Sequence, residues 1–579
     1  MNRLLLLDVQ SDPGDNTFGL RPQQTRQNPS LYKDLSSLDA TSAQRYAVAP
    51  PASKIGHVRG EQALLSMAHA VAIPARISPD YRGLPFWMNR TLEELQAFRS
   101  DPNTDVVHDL RVALRRSRSI ADAMKEVDPH PDWNEVRQAA RKMFRSLGEL
   151  RDVQVMADWL HKLGPEDDAL KHHLLETLAH AEKLANLKAQ HRAERFDDKR
   201  WKKLMRSLAA RMRRVPPDGD AAHCLALERL EEAKELHRRA MRTENQKPWH
   251  ALRVGIKHFR YTTESLLPTA HTEWAESLKR VQEVLGNIHD LDVFALRLRR
   301  AIAQHVDQTN VNWAGRIAAE REKNIETYRQ LALGTASIWT EWFSGFPRDS
   351  WERYAKARIR ATRNAMDPKP GRTTLLSRFA LRIWSQLRIQ KVAVVFSDKT
   401  GRRILETAAL LGGVREPNAK PNGKPTGGKA REKFARTFLL RSPVPPRWTF
   451  AEWERAAWAI RFQRGPEPGQ RNRRFSKLSE EQQAQICLLS GILRLALAAQ
   501  KAGVARSSSL RIETLPQGLL LHIAGVEDTP KNAARFTAAK RLLERSMGKA
   551  ILIQAEAEIS ATPTIQTDSL PPFPISIVR

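Results

Sequence analysis

Apolar residues recur at helical spacing along most of the chain, and one such run comes back. In residues 107–118, VHDLRVALRRSR, the apolar Val107, Leu110 and Leu114 share one helical face. In residues 249–260, WHALRVGIKHFR, Trp249, Leu252 and Ile256 stand in the matching places. A second line runs beside the apolar one, spaced i, i+3, i+7, i+10: His108, Arg111, Arg115 and Arg118 in the first copy, and His250, Arg253, Lys257 and Arg260 in the second. Each segment is predicted to be a helix with an apolar stripe beside a cationic one.

The flanking pattern repeats as well. Phe86, Met88, Leu92, Leu95 and Phe98 predict a helix over 84–98, and Asn103 or Thr104 is placed to cap the helix that follows. A further helix starting near Trp133 carries Arg141, Lys142 and Arg145 into LGELRDVQV at 147–155. Its twin is LGNIHDLDV at 285–293, preceded by Lys279 and Arg280. Gly148 falls on Gly286, Asp152 on Asp290, and Arg151 on His289. Two further helices follow in each half, containing 184–214 and 316–343, and complete the halves at about 80–215 and 230–345. The expected architecture is mainly α, a duplicated four-helix bundle whose cationic stripes face one another across a pseudo-twofold axis.

Residues 346–374 read as a basic linker ending in Pro and Gly, and 375–560 as a second, mostly helical domain. In the latter, 379–396, 401–411, 448–462 and 479–502 read as helices and 416–429 as a flexible basic loop. LRIETL, GLLLHIA and KAILIQAEAE then alternate in the manner of two to three strands around a helix at 532–545, a small C-terminal β element. A short helix is expected at 61–71, while most of 1–75 and the tail 561–579 are read as disordered.

Charge changes the picture more than overall composition does. Among 579 residues, 95 Lys and Arg against 65 Asp and Glu leave a formal +30, which calls for a polyanionic partner and says nothing about fold. Cys224 and Cys487, the two cysteines, exclude a disulfide framework and a thiolate metal cluster, as suits a reducing interior. The opening MNRLLLLDVQ is too short an apolar run for a signal peptide, and no run reaches the length of a membrane helix. A cytoplasmic protein with no membrane partner is expected.

Neighbouring like charges at i, i+3 and i, i+4 each cost a helix roughly 0.2–0.5 kcal/mol, so an anion is needed to offset the stripes. From His108 to Arg118 a stripe spans about 15 Å, enough to meet several anionic groups. Guanidinium forks and a Lys point charge suit phosphate oxygens. Trp249, Phe259 and Tyr261 lie on or next to the apolar stripe rather than among the cations, unlike the aromatic platforms that serve single-stranded nucleic acid. His108 and His250 read equally well as proton sensors near neutral pH or as single hydrogen-bond donors.

VHDLRVALRRSR, LGELRDVQV, WHALRVGIKHFRY with Glu264 after it, and LGNIHDLDV, met in this order, resemble the conserved histidine α-helical domain (CHAD) over about 80–345. The resemblance implies a duplicated helical fold whose basic central cavity binds inorganic polyphosphate, often on polyphosphate granules. The ligand-facing positions it implies are His108, Arg111, Arg115, Arg118, His250, Arg253, Lys257 and Arg260. Arg141, Lys142, Arg145, Lys279 and Arg280 follow in a second rank.

ETAALLGGV, ARTFLLRS, AIRFQRG and LSGILRLALAAQ followed by a strand pair resemble the C-terminal HD-type helical domain of the exopolyphosphatase and guanosine pentaphosphate phosphohydrolase family. Gly412, Gly413, Ala435, Gln463 and Leu497 stand where the resemblance calls for His and Asp ligands. Such groups cannot hold a divalent ion, so a degenerate domain without metal or other cofactor is expected, serving as an interaction module for granule proteins. GKPTGGK is out of order for a Walker loop, and neither G-x-S-x-G nor H-E-x-x-H occurs. Glu556-x-Glu558 is followed by Ile559, not by the pattern of a tunnel triphosphatase. The sequence therefore reads as a noncatalytic polyphosphate binder with no catalytic residues. The alternatives are a nucleic-acid binder, which ranks below it, and a phosphohydrolase acting on polyphosphate or guanosine pentaphosphate.

Overall fold

The computed structural model describes residues 83–302, 311–390, 398–416, 427–469 and 472–556. The segments 1–75 and 561–579, the short helix at 61–71, most of the loop at 416–429 and the Glu556-x-Glu558 pattern beyond its first residue lie outside them. The chain divides into two units, Met1–Ala365 with Arg441–Arg447, and Met366–Leu440 with Trp448–Arg579.

The first unit is wholly helical among its described residues. Its first half holds α1 (Leu84–Ser100), α2 (Thr104–Lys125), α3 (Pro131–Leu163), α4 (Ala169–Glu194) and α5 (Asp198–Met212). The second half repeats the order with α6 (Asp220–Ala240), α7 (Gln246–Leu266), α8 (Pro268–Ile302), α9 (Trp313–Ala332) and α10 (Ile338–Ser344). Asn103 caps α2 by accepting from the Val106 N–H at 3.0 Å.

Each half has five helices, and in both the stretch after the LGEL or LGNI helix is divided into the two further helices expected there. In the first half Asp197 accepts from the Arg200 N–H at 2.8 Å and starts a new helix after Glu194. In the second, Gly334 turns the chain at φ +84° and Ser337 caps α10. The second half opens at Asp220, earlier than the expected 230.

Val107, Leu110 and Leu114 of α2 and Trp249, Leu252 and Ile256 of α7 are all buried in one core, with Trp133, Trp201, Phe259 and Trp342. A second core joins the halves: Trp159, Leu160, Leu170 and Leu174 pack with Leu291, Phe294, Leu298 and Trp313. The connector 346–374, expected as a link, is mostly helical. It contains α11 (Trp351–Met366), whose Tyr354 is buried and stacks on the His223 ring with centroids 5.0 Å apart.

His237 on α6 ties down the second half. Its ring is 5% exposed, shares a 2.8 Å hydrogen bond between Nδ1 and the Tyr328 hydroxyl, and lies 5.1 Å from Trp339. Burial, with Lys234 and Arg238 nearby, pushes it down to about 4. The unfolded chain therefore takes up this proton first as pH falls. The contribution is complete above about pH 6.5 and is lost between 6.5 and 4, on the order of 3 kcal/mol. Denaturant melts of the wild type should weaken across that window, and His237→Gln should flatten this limb; an unchanged limb would show that the ring is not the titrating group.

The second unit contains α12 (Pro370–Ile389), α13 (Asp398–Leu411), α14 (Gly427–Arg441), α15 (Phe450–Phe462) and α16 (Glu480–Lys501). β1 (Leu510–Leu515), β2 (Gly518–Ala524), α17 (Pro530–Met547) and β3 (Ala550–Glu556) follow. The strands form one sheet in the order β1-β2-β3, β1 antiparallel and β3 parallel to β2, with Leu510 opposite Ile523 and Leu519 beside Ile551. A parallel partner needs a crossover, and α17 is that crossover. α14 begins at Gly427, inside the stretch expected as loop.

Candidate functional site: the paired cationic helices

The stripes lie on α2 and α7, and these two helices pack on each other. The Arg115 guanidinium of α2 sits 5.5 Å from the Tyr261 ring centre of α7, and Arg116 pairs with Glu264, whose side chain is 4% exposed. Burial pulls Arg116 down against the pull of Glu264, with Arg115 and Arg260 adding like charge. Cations from both copies of the repeat therefore feel one another directly.

Arg111 is half-buried. Its guanidinium lies 4.5 Å from the Phe144 ring centre on α3, and burial, with Arg115 and Arg151 nearby, pulls it down to about 10 despite Asp152. It remains charged at neutral pH. Its Nη1 atom and the Nε of Arg115 are buried without a hydrogen-bond acceptor among the described residues. A Cβ added at Gly148 would touch Arg111 Nη1 at an ordinary 3.9 Å, and one at Gly286 would meet nothing within 4 Å. Glycine inside a helix costs about 1 kcal/mol relative to alanine, and neither glycine is needed by a crowding neighbour. Both leave bare backbone on the helices that flank the stripes.

The second copy is wired differently. His250 and His289 approach at 3.2 Å between Nδ1 atoms, so one ring donates and the other accepts. In the first half the same places hold His108, which is exposed, and Arg151, which lies 3.9 Å from Asp158. Arg260 donates to Gln282, which in turn donates to the Tyr261 hydroxyl at 3.3 Å. Arg118 lies 3.8 Å from Asp122 and Arg253 and Lys257 are half-buried on α7.

The second-rank cations separate. On α3, Arg141 stands seven residues before Gly148, on the line that meets α2. On α8, Lys279 stands three before Gln282 and seven before Gly286, on the line that meets α7. Lys142 stands seven before Glu149, which pairs with Lys188 of α4, and Arg280 seven before Asn287, which bonds Asn324 of α9. Those two therefore point away from the stripe helices. Arg145 is exposed, and its counterpart in the repeat is Glu283.

Three contacts were not readable from the repeat: Arg116 to Glu264, Arg115 to Tyr261, and Arg297 to Asp152 at 3.9 Å, which joins α8 to α3 across the halves. The signal available in sequence was Glu264, the carboxylate immediately beyond the second stripe.

In the second unit, Gly412 and Gln463 do come together, Gln463 donating to the Gly412 carbonyl at 3.3 Å. Ala435 and Leu497 are buried. No described helix is long and apolar enough to cross a membrane.

Comparison with curated proteins gives no significant match. The crystal structure of the CHAD domain from the plant Ricinus communis is similar at 24% identity, over 45% of this chain and 88% of that one, with a TM-score of 0.30. The CHAD domain family model matches residues 88–299. With the stripe helices, the LGEL and LGNI helices and most of both halves inside that match, residues 88–299 of this chain are a CHAD domain.

Proposed function

We propose that the CHAD domain of this chain holds inorganic polyphosphate in a basic cleft along α2 and α7, and that it binds the polymer without cutting it. The observation that carries the reading is the cationic stripe present twice at the same spacing, on two helices that pack together. Supporting it are the buried guanidinium atoms of Arg111 and Arg115 that lack acceptors among the described residues, and the bare backbone at Gly148 and Gly286. A phosphate chain supplies acceptors at short, regular intervals and needs no base or sugar contact. Arg111, Arg115, Arg253 and Lys257 are the principal contacts in this reading. His108, Arg118, His250, Arg260, Arg141 and Lys279 flank them, and Lys142, Arg145 and Arg280 extend the field outward. The second unit acts as an interaction module, directing a cytoplasmic protein to polyphosphate granules.

Competition tests the reading. Long-chain polyphosphate should bind the full chain with a steep salt dependence and should resist displacement by single- or double-stranded DNA at equal phosphate concentration. Displacement at comparable concentration would favour a nucleic-acid binder. Release of phosphate from polyphosphate or guanosine pentaphosphate with added Mg²⁺ or Mn²⁺ would overturn the noncatalytic part.

A further inference from the structure

The second unit gathers cations at one end, where helices begin and finish together. Gln500, near the end of α16, donates to the carbonyl of Arg372 in the first turn of α12 at 2.6 Å. Arg535 of α17 donates to the Lys501 carbonyl at 3.1 Å. The Arg415 N–H, beyond α13, donates to the Met366 carbonyl at 3.1 Å, and Gln463, beyond α15, holds Gly412. Arg431 and Glu432 on α14 complete the group, with Arg464 placed 3.8 Å from Glu432. Of two buried carboxylates, Glu432 lies near Arg431, Arg464 and Lys501 and Asp367 near Arg431, while Arg372, Arg415 and Arg535 stand as further charges beside those cations.

The carboxylates do not satisfy them. Asp367 is engaged by the Thr373 hydroxyl at 2.8 Å and the Lys369 N–H at 3.0 Å. Both Glu432 oxygens, and the Nε atoms of Arg431 and Arg464, are buried without a hydrogen-bond partner among the described residues. Arg431 and Arg464 are each pulled down, first by burial; Arg464 and Arg415 add to this for Arg431, and Arg372 and Arg415 for Arg464, against the opposing pull of Glu432 on both. Half-buried like charges with unused donors are costly unless an anion completes them.

We propose that this end of the second unit is a separate site for a compact phosphate anion, with Arg431 and Arg464 as inner donors and Arg415 and Lys501 as the exposed rim. A tri- or tetraphosphate moiety has the charge density and the number of acceptors to engage four such groups at once. Glu432 then sets the limit on affinity, because it competes with the ligand for the same cations. The site belongs to a different unit from the paired stripes of the CHAD domain and does not depend on their ligand.

The test uses the full chain carrying Arg111→Gln, Arg115→Gln, Arg253→Gln and Lys257→Gln, titrated calorimetrically at low salt with inorganic tripolyphosphate. One binding event should remain. Adding Arg431→Gln with Arg464→Gln should weaken it at least tenfold, and the exposed pair Arg415→Gln with Lys501→Gln should weaken it several-fold while leaving the melting temperature unchanged. Glu432→Gln should tighten it, which a purely structural cluster would not do. If the inner pair fails to fold, the exposed pair decides. Equal binding of tripolyphosphate and ATP supports phosphate as the group recognised, whether inorganic or carried by a nucleotide; binding of ATP alone overturns it. Absence of any event in the stripe variant, or an event that ignores both pairs, also overturns it. Loss of long-chain polyphosphate binding in the stripe variant reports on the CHAD domain alone.

Discussion

Replacing Arg111, Arg115, Arg253 and Lys257 together by Gln should weaken binding of long-chain polyphosphate by on the order of a thousandfold while leaving the fold intact. Charge-assisted hydrogen bonds contribute more than neutral ones, and even at about 1 kcal/mol each four lost contacts amount to roughly three decades in affinity. The salt dependence should change with it. Each phosphate contact releases counterions worth about 0.7 in the slope of log K against log salt for a single-stranded polyanion, so the slope should flatten by about 3. Stability should move little. Relief of like-charge repulsion contributes a few tenths of a kcal/mol per neighbouring pair, and the loss of Arg111 from the face of Phe144 removes about 0.5–1 kcal/mol. Binding isotherms at several salt concentrations, with denaturant midpoints beside them, separate the effects. Unchanged affinity and slope would identify the stripes as ordinary solvated surface.

The stripes were legible because a helix imposes a period, and a repeated helix imposes it twice. The caps were legible for a similarly local reason: Asn103 accepts from an N–H three residues away. The alternation of LRIETL and GLLLHIA marked β1 and β2, although the parallel pairing of β3 with β2 depends on the crossover. The breaks at Arg195–Asp197 and Gly334 were harder, since one capping carboxylate or one left-handed glycine interrupts a periodicity that otherwise continues. The registers also conceal a difference. His108 and His250 are 250 − 108 = 142 residues apart, whereas Asp152 and Asp290 are 290 − 152 = 138 apart. The structure places the four-residue change between the stripe helix and the next. α2 ends at Lys125 and α3 starts at Pro131, but α8 starts at Pro268 with one residue, Leu267, between it and the end of α7 at Leu266. Periodicity within each helix survives that change, so the pattern gave no sign of it. Least legible were the long-range partners of the stripe. Nothing local pairs Arg116 with a carboxylate nearly 150 positions away, and only packing of α2 on α7 brings them together.

That pair carries the second large effect: Glu264→Gln should destabilise the first unit by about 3 kcal/mol. Glu264 is nearly buried, and besides Arg116 it has the His271 Nε2 atom 3.9 Å away. Arg116 is itself largely desolvated, lies 4.7 Å from the Trp87 ring centre, and has Arg115 and Arg260 as charged neighbours. Neutralising Glu264 leaves this guanidinium among like charges with no other carboxylate to answer it among the described residues, and breaking a buried pair from one side costs roughly 3–5 kcal/mol. For a unit of this size that is a fall in melting temperature on the order of 10 °C. The variant also separates folding from binding. A phosphate chain along α2 and α7 restores negative charge beside Arg115 and Arg260, and so relieves part of the defect. Long-chain polyphosphate should then raise the melting temperature of Glu264→Gln by more than it raises that of the wild type. An equal rise in both would mean that the polymer does not reach the place where the two stripes meet. A melting temperature unchanged by the substitution would mean that water already screens Arg116, and that the contact between α2 and α7 rests on its apolar face alone.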